Sequence, residues 1–273
     1  MIVVISRQVG SLGDEIAVEV ANRLNYQLVD QIEVHNLAKA CDLEFKKACT
    51  LYETELEPGF FERFFFSNMG YAALFESLNF ELASRGNVIL IGRGAQIVLK
   101  DIPGVFKTRI VAPREIRIKR VEKQQGITHD EAAAFVDRYD TQRRALIRTL
   151  FDQDLKDWDL YDLILNTNNY TVETGSDIIC RALELIPRNK DEEALKERLG
   201  RLAFAKKVES KIKKKFPPSP YHNIEVTMKD RNEIILSGFV SDMTTKEVAG
   251  AIAAKTEGIT KVENQIVITH LSV

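Results

Sequence analysis

Three segments of this 273-residue chain place glycines and arginines where they could hold phosphate. The first is Ser6-Arg7-Gln8-Val9-Gly10-Ser11-Leu12-Gly13-Asp14-Glu15-Ile16, between an apolar run and a helical pattern. A strand, a Gly-containing loop and a helix start form an anion site, because free N–H groups and the positive end of the helix dipole face one ligand. The loop does not spell the phosphate-cradle pattern G-x-x-x-x-G-K-[ST]. In the register anchored on the strand, Arg7 and Leu12 fall on its glycines, Gly13 on its lysine and Asp14 on its Ser/Thr. Gly10, Ser11 and Gly13 are the candidates for loop amides, and Arg7 for a replacement cation. The alternative is a tight strand-to-helix turn with Asp14 as a helix-terminal acid.

The second segment, Gly92-Arg93-Gly94, follows another apolar run, Val88 to Ile91. An arginine there offers phosphate a planar fork; the bland reading is a flexible turn with a solvated side chain. The third is Asp137-Arg138-Tyr139-Asp140-Thr141-Gln142-Arg143-Arg144, continuing to Arg148. Asp140 and Arg144 share a helix face, as do Arg144 and Arg148, at i,i+4. Several arginines on one helix suit a closing lid that neutralises a transferring phosphate, with Asp140 orienting them. A solvated, salt-bridged helix face is the competing reading.

The elements that must position these residues follow from periodicity. Strands are expected at Ile2 to Ser6, Tyr26 to Val29, Val88 to Gly92, Thr108 to Ala112 and Leu163 to Thr167. Continuous apolar strands suit a parallel sheet covered on both faces. Helices are expected at Glu15 to Leu24, Tyr71 to Ser84, Pro113 to Gln125, and from the capping box Thr128-His129-Asp130-Glu131 to about Phe151. This alternation predicts an α/β, doubly wound parallel sheet, whose ligands bind at the carboxyl ends of the strands. The rhythm changes after residue 186. Residues 187–194 read as a linker, and 195–273 as a small αββαβ domain: a basic helix from Leu195 to Phe216, strands Asn223 to Lys229 and Glu233 to Val240, a helix from Asp242 to Thr256, and a last strand from Lys261 to Thr269.

Composition bounds the partners. With 38 basic and 40 acidic residues the chain is no globally basic nucleic-acid binder, and no nucleic-acid partner is expected. Lys196 to Phe216 alone holds 9 basic residues against 2 acids, so this helix concentrates the positive charge. No apolar run is long enough for a membrane helix. Cys41, Cys49 and Cys180 form no C-x-x-C pair, which suits a reducing, cytoplasmic compartment. His35, His129, His222 and His270 have no metal-ligand spacing. Phe60, Phe61, Phe64, Phe65 and Phe66 read as core or a subunit contact, with stacking on a base as the sharper alternative.

Taken in order, I-S-R-Q-V-G-S-L-G-D-E-I-A, L-V-D, V-I-L-I-G-R-G-A-Q-I-V-L, T-R-I-V-A-P-R-E-I-R-I-K-R-V, G-I-T-H-D-E-A, D-x-x-R-R and Y-D-L-I-L-N-T resemble the cytidylate kinase-like family. This is a branch of the P-loop nucleoside monophosphate kinases, and the resemblance covers roughly residues 1 to 185. It implies ATP and Mg²⁺ as cofactors and a nucleoside monophosphate such as CMP as acceptor. It places Arg93 on the acceptor nucleotide, Asp30 at the entrance of the monophosphate segment, and Asp140 with Arg143 in the lid; Arg144 and Arg148 would close with them. The first loop departs from the family's usual G-S-G-G-R-E at Leu12 and Asp14, where a bulky side chain and an anion stand beside the expected phosphates. Residues 195 to 270 resemble a BON domain, on I-I-L-S-G-F-V and E-G-I-T-K-V-E-N-Q-I-V-I. That resemblance implies an interaction module for a lipid surface, a small ligand or a protein. Phosphotransfer, nucleotide sensing without catalysis, and a pure scaffold are all open at this point.

Overall fold

A computed structural model describes residues 1–29, 70–187, 191–216 and 222–269. The described residues form two compact units. One holds 1–29, 85–187 and 191–195; the other holds 70–84, 196–216 and 222–269.

In the first unit, β1 (Ile2–Arg7), β2 (Gln27–Val29), β3 (Val88–Ile91), β4 (Val105–Val111) and β5 (Leu163–Asn166) form one parallel sheet in the order β2-β3-β1-β4-β5. The helix after β1 is α1 (Gly13–Leu24). Helix α2 (Gly70–Ala83) belongs to the second unit. After β3 come a short turn of helix, α3 (Ala95–Val98), then β4, α4 (Arg114–Gln125), α5 (His129–Phe151), β5 and α6 (Val172–Leu185). Val3, Ile5, Phe106, Ile110 and Leu165 of the sheet pack with Ile16, Val20 and Ile179 of α1 and α6 in one buried cluster. Burying such β-branched runs contributes about 25 cal/mol per Å² of apolar surface. The helix starts follow the sequence signals: Thr128 and Glu131 form the reciprocal capping box, and Gly126 ends α4 at φ 67°. The expected doubly wound sheet of P-loop kinase type is the one observed. The chain leaves β1 towards β2 and leaves β4 towards β5, so a crevice opens between the carboxyl ends of β1 and β4.

In the second unit, α7 (Glu192–Lys213) and α8 (Met243–Ala254) pack with β6 (Asn223–Asp230), β7 (Glu233–Val240), β8 (Lys261–Asn264) and β9 (Val267–Ile268). β6 and β7 are antiparallel, and β8 and β9 both run parallel to β7. The single last strand expected from the sequence is divided, because the Asn264 side chain accepts the Ile266 N–H and turns the chain. Gly238, at φ 103°, has no room for a Cβ, which would stand 2.0 Å from the Asn223 carbonyl. Helix α2 lies on α7: Ser77 Oγ donates to the Ala203 carbonyl at 2.8 Å, and a Cβ on Gly70 would meet the Ser210 carbonyl at 2.8 Å. The sequence pattern placed this helix in the first domain. Its nearly all-round burial, with small residues on the contact, is what α7 receives. The region read as a linker already holds the start of α7, with Asp191 Oδ1 accepting from Ala194 N at 2.9 Å.

Candidate functional site

The first loop is closed on itself more than its sequence suggests. Ser11 is buried; its Oγ donates to the Gln8 carbonyl at 2.7 Å and its amide to the same oxygen at 3.2 Å. Gly10 adopts φ 71°, and a Cβ there would press on the Arg117 carbonyl at 2.7 Å. Gly13 begins α1 directly against the Arg7 side chain. Leu12 takes φ 65°, a left-handed conformation that costs a non-glycine residue about 1 kcal/mol. Its side chain packs on the core cluster of α1 and the sheet. Arg7 Nε donates to Asp14 Oδ1 at 2.9 Å, so the proposed replacement cation and the unexpected anion neutralise each other.

Helices α4 and α5 supply the opposite wall. Arg117, 4% exposed, donates through both terminal nitrogens to the Asp140 carboxylate at 3.2 and 2.8 Å. Its other bonds go to the carbonyls of Val9 and Ala112. Asp140 therefore orients Arg117, not the arginines of its own helix; only its backbone carbonyl meets Arg144 Nε, at 3.4 Å. The reason is burial: a guanidinium withdrawn from water needs a planar acceptor far more than one facing solvent. Arg120 donates to the Gly10 carbonyl at 3.3 Å, to Thr167 Oγ1 at 3.0 Å and to the Thr167 carbonyl at 2.8 Å. Thr167 in turn donates to the Ser11 carbonyl at 2.8 Å, which ties the loop after β5 to the first loop. Arg143 donates to Tyr139 OH at 2.9 Å and lies 4.9 Å from the centre of its ring. Burial opposes ionisation of Tyr139, but the Arg143 and Arg7 guanidinium groups outweigh it and hold the phenol below its ordinary pKa.

On β4, Arg109 donates to Ser6 Oγ at 2.6 Å and lies 5.9 Å from the Tyr161 ring centre. Burial lowers its pKa; Tyr161 and Asp140 oppose that shift, and the Arg7 and Arg117 charges add to it. After β3, Gly92, Arg93 and Gly94 take φ values of 68°, 56° and 69° in succession, and Arg93 is 6% exposed. Gly92 N donates to the Ile5 carbonyl at 2.9 Å, which fixes this turn beside β1. A Cβ on Gly94 would strike the Phe151 ring at 2.3 Å, so glycine is required there for packing as well as for φ.

Of the expected site residues, Arg7, Gly10, Ser11, Gly13, Asp140 and Arg143 come together at the carboxyl ends of β1 and β4, and Arg93 stands at the end of β3. Arg144 and Arg148 lie on α5 with exposed side chains. Asp30, the phenylalanines from Phe60 to Phe66, and Cys41 and Cys49 lie outside the described residues. Arg109, Arg117, Arg120, Tyr139 and Thr167 join the crevice without being singled out by the sequence pattern. A signal was present for two of them: Arg117 and Arg120 stand three apart on a helix entered from a strand's carboxyl end. Among the described residues no three His, Cys, Asp or Glu side chains form a metal cluster. No described helix is long and apolar enough to cross a membrane.

This crevice of arginines at the switch point of a five-stranded parallel sheet defines a P-loop kinase-type unit. The cytidylate kinase-like family model matches residues 2–169 and a BON domain model matches 204–270. The chain belongs to the cytidylate kinase-like family and carries a BON domain. It is 31% identical over 118 residues to a cytidylate kinase of Pyrococcus horikoshii, covering 43% of this chain and 60% of that protein. A cytidylate kinase of Methanocaldococcus jannaschii is 31% identical over 110 residues, covering 38% and 60%. The chain thus spans less than two thirds of the length of these relatives. An uncharacterized protein of Eubacterium ventriosum, known by crystal structure, aligns over 68% of this chain and 99% of its own with a TM-score of 0.52 and 19% identity, a likeness of fold.

Proposed function

We propose that the first unit transfers the γ-phosphoryl group of ATP to the phosphate of a nucleoside monophosphate, CMP being the acceptor named by the relatives. The bond from the γ-phosphorus to the bridging oxygen breaks, a new one forms to an acceptor phosphate oxygen, and ADP and a nucleoside diphosphate leave. Positioning and charge neutralisation carry most of such a reaction. The observation behind this reading is that Arg7, Arg109, Arg117, Arg120 and Arg143 reach one crevice from four different elements. Amides at the start of α1, with Gly10 and Gly13, would receive the donor phosphates, and Arg143 would face the transferring group. Bound Mg²⁺ would neutralise donor phosphate charge; Asp14 and Glu15 are the carboxylates in the first turn of α1, and Asp14 is paired with Arg7. Arg93 would hold the acceptor, and Arg117, locked by Asp140, would keep the loop's backbone in place.

The second reading, a nucleotide sensor that signals through the BON unit, is favoured by the Arg7–Asp14 pair, which occupies the cation of the cradle. Calorimetry with Mg·ATP and with CMP, and a coupled assay for ADP release, separates the two. CMP-dependent ADP release supports the kinase; binding without turnover supports the sensor. Absence of binding by either nucleotide excludes both. For the BON unit we propose an anionic surface or protein partner at the basic face of α7. Lys206 and Lys213 are turned to Glu209, so Lys207 and Lys211 carry that role.

A further inference from the structure

Side chains alternate across a strand, so β1 and β4 divide their residues between the two faces of the sheet. Val3, Ile5, Phe106 and Ile110 turn to the cluster under α1 and α6. Arg7 follows the same alternation and meets Gly13 and Asp14 at the start of α1. Ser6 and Arg109 are the intervening residues, directly opposite each other in the β1–β4 register, and they face the other side. The two strand ends therefore offer one arginine to each face: Arg7 beside the first loop, Arg109 away from it.

Arg109, like Arg120, is a crevice arginine without a carboxylate partner among the described residues. Arg7, Arg23, Arg114, Arg117 and Arg181 each have a carboxylate within hydrogen-bond distance. Arg109 has a hydroxyl, Ser6 Oγ, and an aromatic ring, Tyr161, and among the described residues no carboxylate lies within ion-pair distance of it. Burial opposes its charge most, and the attraction of the more distant Asp140 is set against repulsion from Arg7 and Arg117, so a half-buried cation hydrogen-bonded only to neutral groups is stabilised by an incoming anion. The strand order β3-β1-β4 sets the Arg93 turn, Ser6 and Arg109 side by side. Adjacent strands are about 4.8 Å apart, so the backbones of Arg93 and Arg109 stand about 10 Å apart, a span that two arginine side chains close around one phosphate.

We propose that Arg109 is a second phosphate-binding arginine of the acceptor side, gripping the nucleoside monophosphate opposite Arg93 while Ser6 holds its fork in place. The inference rests on the phosphotransfer reading and gives a role to an arginine that this reading counts in the crevice without assigning it a ligand. Nothing in the spacing of T-R-I-V-A-P marks Arg109, because strand position alone gives it its face.

The test is calorimetry on the full chain, with CMP and with Mg·ATP titrated separately and inorganic phosphate as a competitor. Arg109→Gln removes the charge and keeps a polar side chain able to reach Ser6. CMP affinity is expected to fall about 10- to 100-fold, the scale of one charged hydrogen bond, with Mg·ATP affinity within about twofold of wild type. Arg109→Lys keeps the charge without the fork and should give a smaller loss; it also carries the test if the glutamine variant fails to fold. Phosphate should compete with CMP in the wild type and markedly less in both variants. Unchanged CMP affinity in a folded variant overturns the proposal and leaves the kinase reading standing. Equal losses for CMP and Mg·ATP overturn the assignment to the acceptor side. A wild type that binds no CMP overturns both.

Discussion

Each unit contains a cluster of charges withdrawn from water, and the two are built on opposite plans. In the second unit, Glu209 is 2% exposed and accepts from Lys213 Nζ at 2.6 Å, Lys206 Nζ at 3.2 Å and the Val226 amide at 3.3 Å. Lys206 also meets Glu76 at 2.7 Å, so two carboxylates face two ammonium groups and each charge of the cluster is answered inside it. In the crevice of the first unit, Arg7 and Arg117 have carboxylate partners, while Arg109 and Arg120 are held by hydroxyls and carbonyls. A closed cluster stabilises a packing arrangement. A cluster with cations left over is costly until an anion arrives, which is the physical signature of a binding site.

The strongest way to break this contrast is Glu209→Ala. Removing this member of the closed cluster leaves Lys213 without its carboxylate, Lys206 with Glu76 alone and the Val226 amide without its acceptor, and unfolding of the second unit should become easier by about 3 kcal/mol in denaturant titrations. CMP affinity should stay as it was; a matching loss of nucleotide binding would show that the two clusters do not have separate roles. In the crevice the pattern should reverse. Arg93→Ala keeps the φ of 56° no worse than arginine does, so the melting temperature should shift little. CMP binding should weaken by about 1.5–3 kcal/mol. A large fall in melting temperature with intact binding would make Arg93 a packing residue.

Two smaller changes sharpen the contrast inside the first loop. Leu12→Gly should stabilise the first unit by up to about 1 kcal/mol if the strain at φ 65° exceeds the lost core packing. Asp14→Asn removes the anion beside Arg7, and Mg·ATP affinity should rise about three- to tenfold, less at high salt because the gain is electrostatic. A fall in affinity would mean that Asp14 assists the donor site.

The smallest effects are titrations. Burial opposes the charge on Lys206, but Glu209 and Glu76 outweigh it and raise its pKa above the ordinary lysine value of 10.5. Its stabilisation is therefore fully present below the unfolded pKa and is lost only as pH rises through the higher folded one. Stability of the second unit should be flat near neutrality and decline above about pH 10.5 as far as Lys206 is concerned. Tyr161 is pushed up by burial, whereas Tyr139 is held down by Arg143 and Arg7 despite burial. Ultraviolet titration should find Tyr139 ionising before Tyr161, and Arg143→Ala should delay it. An unchanged Tyr139 midpoint in that variant would remove Arg143 from its neighbourhood.

The sequence by itself determined the parallel sheet, the capping box at Thr128, the helix end at Gly126, the turn at Gly92-Arg93-Gly94 and the basic helix that opens the BON unit. All of these are local: β-branched runs, caps and glycine conformations act over a few residues, so their reasons are written next to one another in the chain. Only the tertiary structure decided which partner each charge takes. Asp140 lies four residues from Arg144 in the chain yet binds Arg117 of the neighbouring helix, 23 residues away. Arg109 meets Ser6 across 103 residues, and Arg120 meets Thr167 across 47. Helix α2, expected with the sheet it precedes, packs on α7 because its small residues fit there. An arginine can bond any acceptor its long side chain reaches, so its local sequence leaves many partners open. Strand order and helix packing choose among them by setting which groups lose their water together.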